Sequence, residues 1–311
     1  MSDFNWVQGT STVKEIVKAI TMDLTLASRN GWTLRYPSAA NSIDNIAILE
    51  TTTTFNVRFF LKIERPEDSL NHVLLTIGTR LNSTEDDIDG IHNEPARFAW
   101  YRITDEVQLH DWMPVQYWMS YSEDFINIVV QGDPSLDMEP YNRYLISYGY
   151  IGALESFEGA DADTEHNFGI TVSSDIFFEE DEMPDQYGHR TATCITDIGM
   201  IGTRTGTPFQ AHLIKFSSNW EWADRNFINS SQWTHKYHMS DMIVYHAYDR
   251  ERGKLQNALV GDRSAIYHLD ILIVDRGTPD EKRYVMFNIS APFSIINNGP
   301  NVLYGIALRR S

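Results

Sequence analysis

Residues 117–175 read YWMSYSEDFINIVVQGDPSLDMEPYNRYLISYGYIGALESFEGADADTEHNFGITVSSD, and this stretch decides the expected fold. Residues 115–121 and 125–131 are rich in aromatic and β-branched side chains, which favour strands. The polar Ser122-Glu123-Asp124 between them predicts a hairpin. Gly132-Asp133-Pro134 should end the second strand, because proline cannot donate a hydrogen bond to a central ladder.

A helix is predicted at 12–29, on the N-terminal side of this stretch. Thr12 and Glu15 have the spacing of a capping box. Apolar residues then recur with helical period as far as Ala27. Asn30-Gly31 supplies a left-handed stop, after which the apolar period changes to two.

The remainder of the chain predicts strands. Two hairpins stand out, one joining 55–64 to 72–81 and the other joining 267–275 to 283–289. The predicted fold is therefore mostly β within the α+β class. It consists of antiparallel sheets in β-sandwich-like subdomains, with one N-terminal amphipathic helix.

The acidic stretches of the middle region suggest how the chain is divided. We expect an N-terminal unit at 1–154, made of the helix and an antiparallel β subdomain. An acidic loop or excursion follows at 155–192, where long irregular segments most often carry function. A second β subdomain is expected at 193–311.

Composition narrows the function classes. The chain has 311 residues and a net charge of −18, which argues against binding to a nucleic-acid backbone or an anionic membrane surface. Its single cysteine, Cys194, excludes an intrachain disulfide framework and a cysteine-based zinc site. No apolar run is long enough for a membrane-spanning helix, and the first residues lack a secretory pattern. Synthesis in the cytoplasm is the expectation.

Catalytic fingerprints are not found in the sequence. It contains no Gly-x-Ser-x-Gly elbow and no phosphate-binding glycine loop, so a non-enzymatic protein without a cofactor is expected. One acidic loop resembles a calcium loop, because Asp161, Asp163 and Glu165 offer oxygen ligands at alternate positions. His166 stands where such a loop needs glycine for its sharp turn. A solvated acidic loop is the alternative to calcium binding.

An aromatic-rich segment after residue 219 is the predicted interaction surface, because aromatic side chains and arginine are enriched at interfaces. The predicted interface residues are Trp220, Trp222, Trp233 and Tyr237, with Arg250 and Arg252 on a charged turn at 249–253. Alternate residues of a strand face the same side, so Trp220 and Trp222 would also suit stacking on sugar rings; core packing or a subunit contact would explain the same pair.

Four stretches carry a family resemblance: NHVLLTIGTRLN (71–82), INIVVQGDP (126–134), YGYIGALESFEGADADTEHNFGITVSSD (148–175) and MIVYHAYDRERGKLQNALV (242–260). They resemble virion structural proteins of large tailed bacteriophages, in particular tail and baseplate components. The resemblance implies a structural part, present in several copies, that is assembled in the host cytoplasm and bound to other tail proteins. A receptor-binding module that recognises host-surface glycans is the alternative.

Overall fold

The structure is a computed structural model, and it shows a mostly β protein with antiparallel sheets. It describes residues 4–26, 31–54, 56–91, 95–101, 109–136, 146–155, 168–173, 191–192, 214–216, 239–246, 250–262, 267–288 and 304–311. For residues 91, 96–97, 136, 168–173, 191–192, 214–216, 240, 242–246, 250–253, 260–262 and 304 the description covers the backbone alone.

Within these residues the chain forms one α-helix, α1 (Ile16–Leu24), and a series of strands. The strands are β1 (Asn5–Thr12), β2 (Thr33–Tyr36), β3 (Ile46–Thr52), β4 (Arg58–Glu64), β5 (His72–Leu81), β6 (Ile88–Ile91), β7 (Ala96–Ala99), β8 (Pro114–Tyr121), β9 (Phe125–Gly132), β10 (Ile146–Ala153), β11 (Phe168–Ser173), β12 (Thr191–Ala192), β13 (Ile214–Phe216), β14 (Met239–His246), β15 (Arg250–Asp262), β16 (Ile271–Val274), β17 (Lys282–Phe287) and β18 (Tyr304–Arg309). The expected fold class is confirmed.

The strands form three sheets. The central sheet has the order β1-β8-β9-β10-β11-β12. The helix-side sheet has the order β2-β3-β4-β5-β6, and β7 also pairs with β5. The outer sheet has the order β13-β14-β15-β18-β17-β16. Hairpins account for many of the pairings, as the short polar turns of the sequence predict.

The central sheet is buried on both faces. Every residue of β9 and of β10 is buried. Successive side chains of a strand point to opposite faces. Ile126, Ile128 and Val130 therefore enter the core shared with α1 and the helix-side sheet, while Phe125 and Val129 enter the core shared with the outer sheet.

Hydrogen bonds from buried side chains fix the helix-side layer to the central sheet. The Trp32 Nε1–H donates to the Ser122 carbonyl at 3.0 Å, at the turn between β8 and β9. The Asp124 carboxylate, in the same turn, accepts from the Thr54 N–H at 2.6 Å. Because Asp124 is itself buried, loss of its hydrogen bonds to Thr54 would leave a buried polar group without these partners, which is costly.

The predicted helix at 12–29 is longer than the helix observed. Residues 5–12 form β1, which pairs with β8 along its whole length. The Val13 and Lys14 N–H groups then donate to the carbonyls of Met113 and Asp111, so the contact with the segment before β8 continues beyond Thr12. The Thr12 Oγ1 does accept from the Glu15 N–H at 3.3 Å, as a capping box requires, but α1 begins only at Ile16.

The predicted charged turn at 249–253 is also wrong in its position. Arg250–Gly253 begin β15, where Arg250 pairs with His246 and Gly253 pairs with Val244. An irregularity in register between Val244 and Tyr245 accommodates the extra residue on the β15 side. Pairing with β14 therefore overrides the weak strand propensity of the Arg-Glu-Arg-Gly sequence.

The predicted division of the chain at 154 and 192 stays a prediction. Two strands inside the predicted excursion, β11 and β12, extend the central sheet beyond β10. In the portion of the chain that is described, no helix is long and apolar enough to cross a bilayer.

Two glycines provide a matched test of how tightly β10 packs on the turn before β9. Gly152 has φ +134°, and a Cβ there would lie 2.2 Å from the Asp124 carbonyl oxygen. Gly277 has φ +80°, with no atom within 4 Å of such a Cβ. Gly152→Ala should destabilise the protein by about 3 kcal/mol or more, because strain and overpacking add. Gly277→Ala should cost about 1–2 kcal/mol, because only backbone strain is introduced.

Chemical denaturation of both variants and of the wild type measures the two changes. Equal losses of stability would contradict the close packing of β10 on the Asp124 turn.

Candidate functional site

The rim of the outer sheet exposes a cluster of large apolar side chains. Tyr267, Leu269, Ile271 and Ile273 are 79%, 43%, 52% and 39% exposed, respectively. We call these four residues the rim surface. They account for four of the seven large hydrophobic residues that are exposed in the described part of the chain. Such a concentration of exposed apolar residues marks interaction sites in soluble proteins.

The exposure of Ile271 and Ile273 follows from the position of β16 in the outer sheet. Ile271 lies opposite Val285 of β17, so both side chains project from the same face. Val285 is buried against the central sheet, together with residues such as Trp118 and Phe125. The outer sheet contacts the central sheet at two places: β15 contacts β9 and β10, and β18 contacts β8. Because β16 lies two strands beyond β18, it extends past the covered area.

The other face of β16 is partly covered by its own sheet. Leu272 and Val274 pack against a small cluster that contains Tyr284 and Met286. The strand is therefore apolar on both faces, with one face half-buried and the other exposed.

A tight turn leads into β16 and presents Tyr267 and Leu269. The Asp270 N–H donates to the Tyr267 carbonyl at 3.1 Å, and the Asp270 Oδ2 accepts from the Tyr267 N–H at 2.8 Å. Leu269 has φ +69°, in the left-handed region where a leucine costs about 1–2 kcal/mol. The turn thus holds an exposed leucine in a conformation that glycine or asparagine would adopt more easily.

His268 anchors the same turn between the two sheets. Its ring lies edge-on to Trp118 and to Phe287, with centroid distances of 6.2 and 5.7 Å. The Asn288 N–H donates to Nδ1 at 3.3 Å, so Nδ1 is the unprotonated nitrogen. The Nε2–H then donates to the Gln131 Oε1 at 2.9 Å. Burial lowers the pKa of His268 to about 4, which keeps the imidazole neutral at pH 7.

The charged tip between β16 and β17 is held by local hydrogen bonds. The Glu281 carboxylate accepts from the Gly277 N–H at 3.0 Å and from the Arg283 guanidinium at 3.1 Å. These two bonds hold the pKa of Glu281 below its usual value. The tip is thereby kept in one conformation next to the rim surface.

A second exposed aromatic residue lies on the turn before β8. Trp112 is 68% exposed, and its ring stacks on His110 with centroids 5.4 Å apart and planes 13° apart. The Met113 N–H donates to the His110 carbonyl at 3.1 Å, which closes the turn. A tryptophan held flat in this way offers an apolar ring face to solvent.

Most of the site residues predicted from sequence lie outside the residues that the structure describes. Trp220, Trp222, Trp233 and Tyr237 lie outside the described residues, as do the calcium candidates Asp161, Asp163 and Glu165. Arg250 and Arg252 lie in β15, where only their backbone is described. Where side chains are described, no group of three or more metal-ligating residues is close enough to hold an ion.

The sequence did contain one sign of the rim surface. Ile271-Leu272-Ile273-Val274 is a run of four apolar residues between charged ones, which predicts a strand covered on both faces. Only the strand order of the described residues places this run at the edge of a sheet, where Ile271 and Ile273 are exposed.

The rim surface, the His268 anchor and the Trp112 turn are thus the features from which a function is inferred. No family model matches the chain, and no curated protein matches it significantly in sequence.

The His268 anchor predicts a pH dependence of stability. The pKa of this histidine is about 4 in the folded protein and about 6.5 when unfolded, so the unfolded chain binds more protons between these values. Stability should therefore fall as pH is lowered from 6.5 to 4. The contribution of His268 to that fall should be about 2–3 kcal/mol.

His268→Gln removes this titration while keeping a hydrogen-bonding side chain. Denaturant unfolding of wild type and variant across this pH range measures the difference. The variant should show a shallower loss of stability, whereas parallel curves would contradict the buried neutral histidine.

Proposed function

We propose that the chain is a non-enzymatic structural component of a bacteriophage tail, in the baseplate or the tail-end assembly. It acts through multivalent contacts with other virion tail proteins, and several copies are present in each particle. Assembly takes place in the host cytoplasm. No covalent step belongs to this role; its physical basis is shape complementarity between rigid surfaces.

The observation that supports the proposal best is the rim surface. The chain has a net charge of −18, yet it exposes four large apolar side chains within seven residues, Tyr267–Ile273. Charged surfaces keep a protein soluble, whereas a local apolar cluster favours association. A subunit that must stay soluble until it meets its neighbours needs both properties.

The rigidity of the rim supports an assembly role as well. His268 and the Asp270 carboxylate fix the turn that carries Tyr267 and Leu269. A surface already fixed in its bound conformation loses less entropy when a partner binds. The left-handed Leu269 costs stability and leaves its side chain exposed, which is explained if that side chain contacts a partner.

The family resemblance also supports the proposal, and the stretches that carry it coincide with strands of the three sheets. The stretch 71–82 contains β5, 126–134 contains most of β9, and 148–175 includes most of β10 and all of β11. The stretch 242–260 covers most of β14 and β15. The resemblance thus concerns strands that build the sheets, while the rim surface lies outside it.

Detection of the chain in purified phage particles tests the proposal. Quantitative mass spectrometry should find several copies in each particle, and an antibody against the chain should label the tail end in electron micrographs. Absence of the chain from particles that contain the other tail proteins would contradict the proposed role.

Recognition of host-surface glycans is a second candidate function, and the Trp112 turn favours it. A flat, exposed indole is the kind of surface on which a sugar ring stacks. Under this alternative, Trp112→Ala should weaken binding to host polysaccharide by about tenfold, because loss of one good ring contact costs on the order of 1.4 kcal/mol. Isothermal titration with host-surface polysaccharide measures the effect.

Met22→Ala is the matched control, since Met22 is also exposed but lies on α1. Absence of polysaccharide binding by the wild type, or equal binding by both variants, would rule out the Trp112 turn as a glycan site.

A further inference from the structure

The open edge of β16 presents backbone groups as well as apolar side chains. The Met286 N–H donates to the Asp270 carbonyl at 2.9 Å, so the backbone of Asp270 faces β17. Alternate residues of an antiparallel strand face the same neighbour, so Leu272 and Val274 do likewise. The N–H and C=O groups of Ile271 and Ile273 therefore point away from β17. No strand among the described residues pairs with them.

We infer that this edge pairs with β16 of a second copy of the chain. The two strands run antiparallel about a twofold axis at Leu272, and Ile271 of each copy lies opposite Ile273 of the other. The outer sheets of the two copies then form one continuous sheet. This inference rests on the proposed role as an assembly subunit, and it names the surface and the partner.

The sequence of β16 is complementary to itself in this register. Pairing about Leu272 brings together residues whose backbone groups both point outward, as an antiparallel ladder requires. It also places two Ile271–Ile273 pairs side by side on the exposed face. Cross-strand pairs of β-branched residues contribute about 0.2–1 kcal/mol each. The half-buried Leu272 side chains meet at the axis on the other face.

The charges at the two ends of β16 also favour a second copy as the partner. Asp270 precedes the strand, and Arg276 follows it in the turn after Val274. In this register the Asp270 end of one copy lies beside the Arg276 end of the other, and both residues are exposed. The twofold axis repeats this approach of opposite charges on the other side of the isoleucines.

The local charge of the edge permits such an approach despite the acidic chain. Residues 267–283 contain Asp270, Asp275, Asp280 and Glu281 against Arg276, Lys282 and Arg283, so four negative charges face three positive ones. At physiological ionic strength the remaining charges are screened beyond about 8 Å. Self-pairing is therefore not opposed locally, whereas a strongly basic partner would find little charge to attract it.

A pairing of two four-residue strands is small compared with stable interfaces. We expect a dissociation constant of about 10⁻⁴ M, which is useful in an assembly where several contacts form together. Sedimentation equilibrium of the full chain from about 10 µM to about 1 mM should show the average mass rising toward that of a dimer. A chain that stays monomeric throughout would overturn the inference.

Ile273→Lys tests whether the open edge of β16 is the contact. A lysine there places like charges together and discourages edge pairing. The variant should dimerise at least tenfold more weakly, while Met22→Lys, which alters an exposed apolar residue of α1, should dimerise as the wild type does. Equal dimerisation of Ile273→Lys and the wild type would also overturn the inference.

These outcomes are separable from those for the proposed function. A monomeric chain found in phage particles would overturn the self-pairing and keep the structural role. A dimeric chain that is absent from phage particles would keep the self-pairing and overturn the structural role.

Discussion

Burial of the central sheet on both faces is the constraint on which the structure depends. Every residue of β9 and β10 is buried, so each side chain of these strands needs a partner in one of two cores. Apolar residues meet this need by packing. Two polar residues of β9 meet it by hydrogen bonding to the outer sheet or to the turn that leads into β16. The Asn127 Nδ2 donates to the Gln256 carbonyl at 2.7 Å, and Gln131 accepts from His268.

These two polar contacts help to fix the position of the outer sheet over the central sheet. They lie on the same face of β9, four residues apart, and each reaches a different part of the outer layer. Because buried amides without partners are costly, the outer sheet has little freedom to slide over the central one. With β15 and β18 held over β9, β10 and β8, β16 is left beyond the contact area. The rim surface is thus a consequence of the same packing that stabilises the core.

The sequence predicts the parts of this fold that depend on local patterns. The hairpins of β4 with β5, β8 with β9 and β16 with β17 follow from alternation and turn chemistry, and the structure confirms them. The strand β1 was missed, because its pairing with β8 spans more than a hundred residues and shortens the predicted helix. The rim surface was missed for the same physical reason, since an edge exists only once the strand order is known. The local period of apolar residues along the sequence does not show which distant strands will pair.

Hydrogen exchange of the β16 amides tests the central claim most directly. Leu272 and Val274 donate toward β17, so their amides should be protected at every protein concentration. The amides of Ile271 and Ile273 should exchange rapidly in dilute protein and become protected as the concentration rises, while the amides of α1 stay unchanged. Protection of Ile271 and Ile273 that is independent of concentration would contradict an open edge that pairs with a second copy.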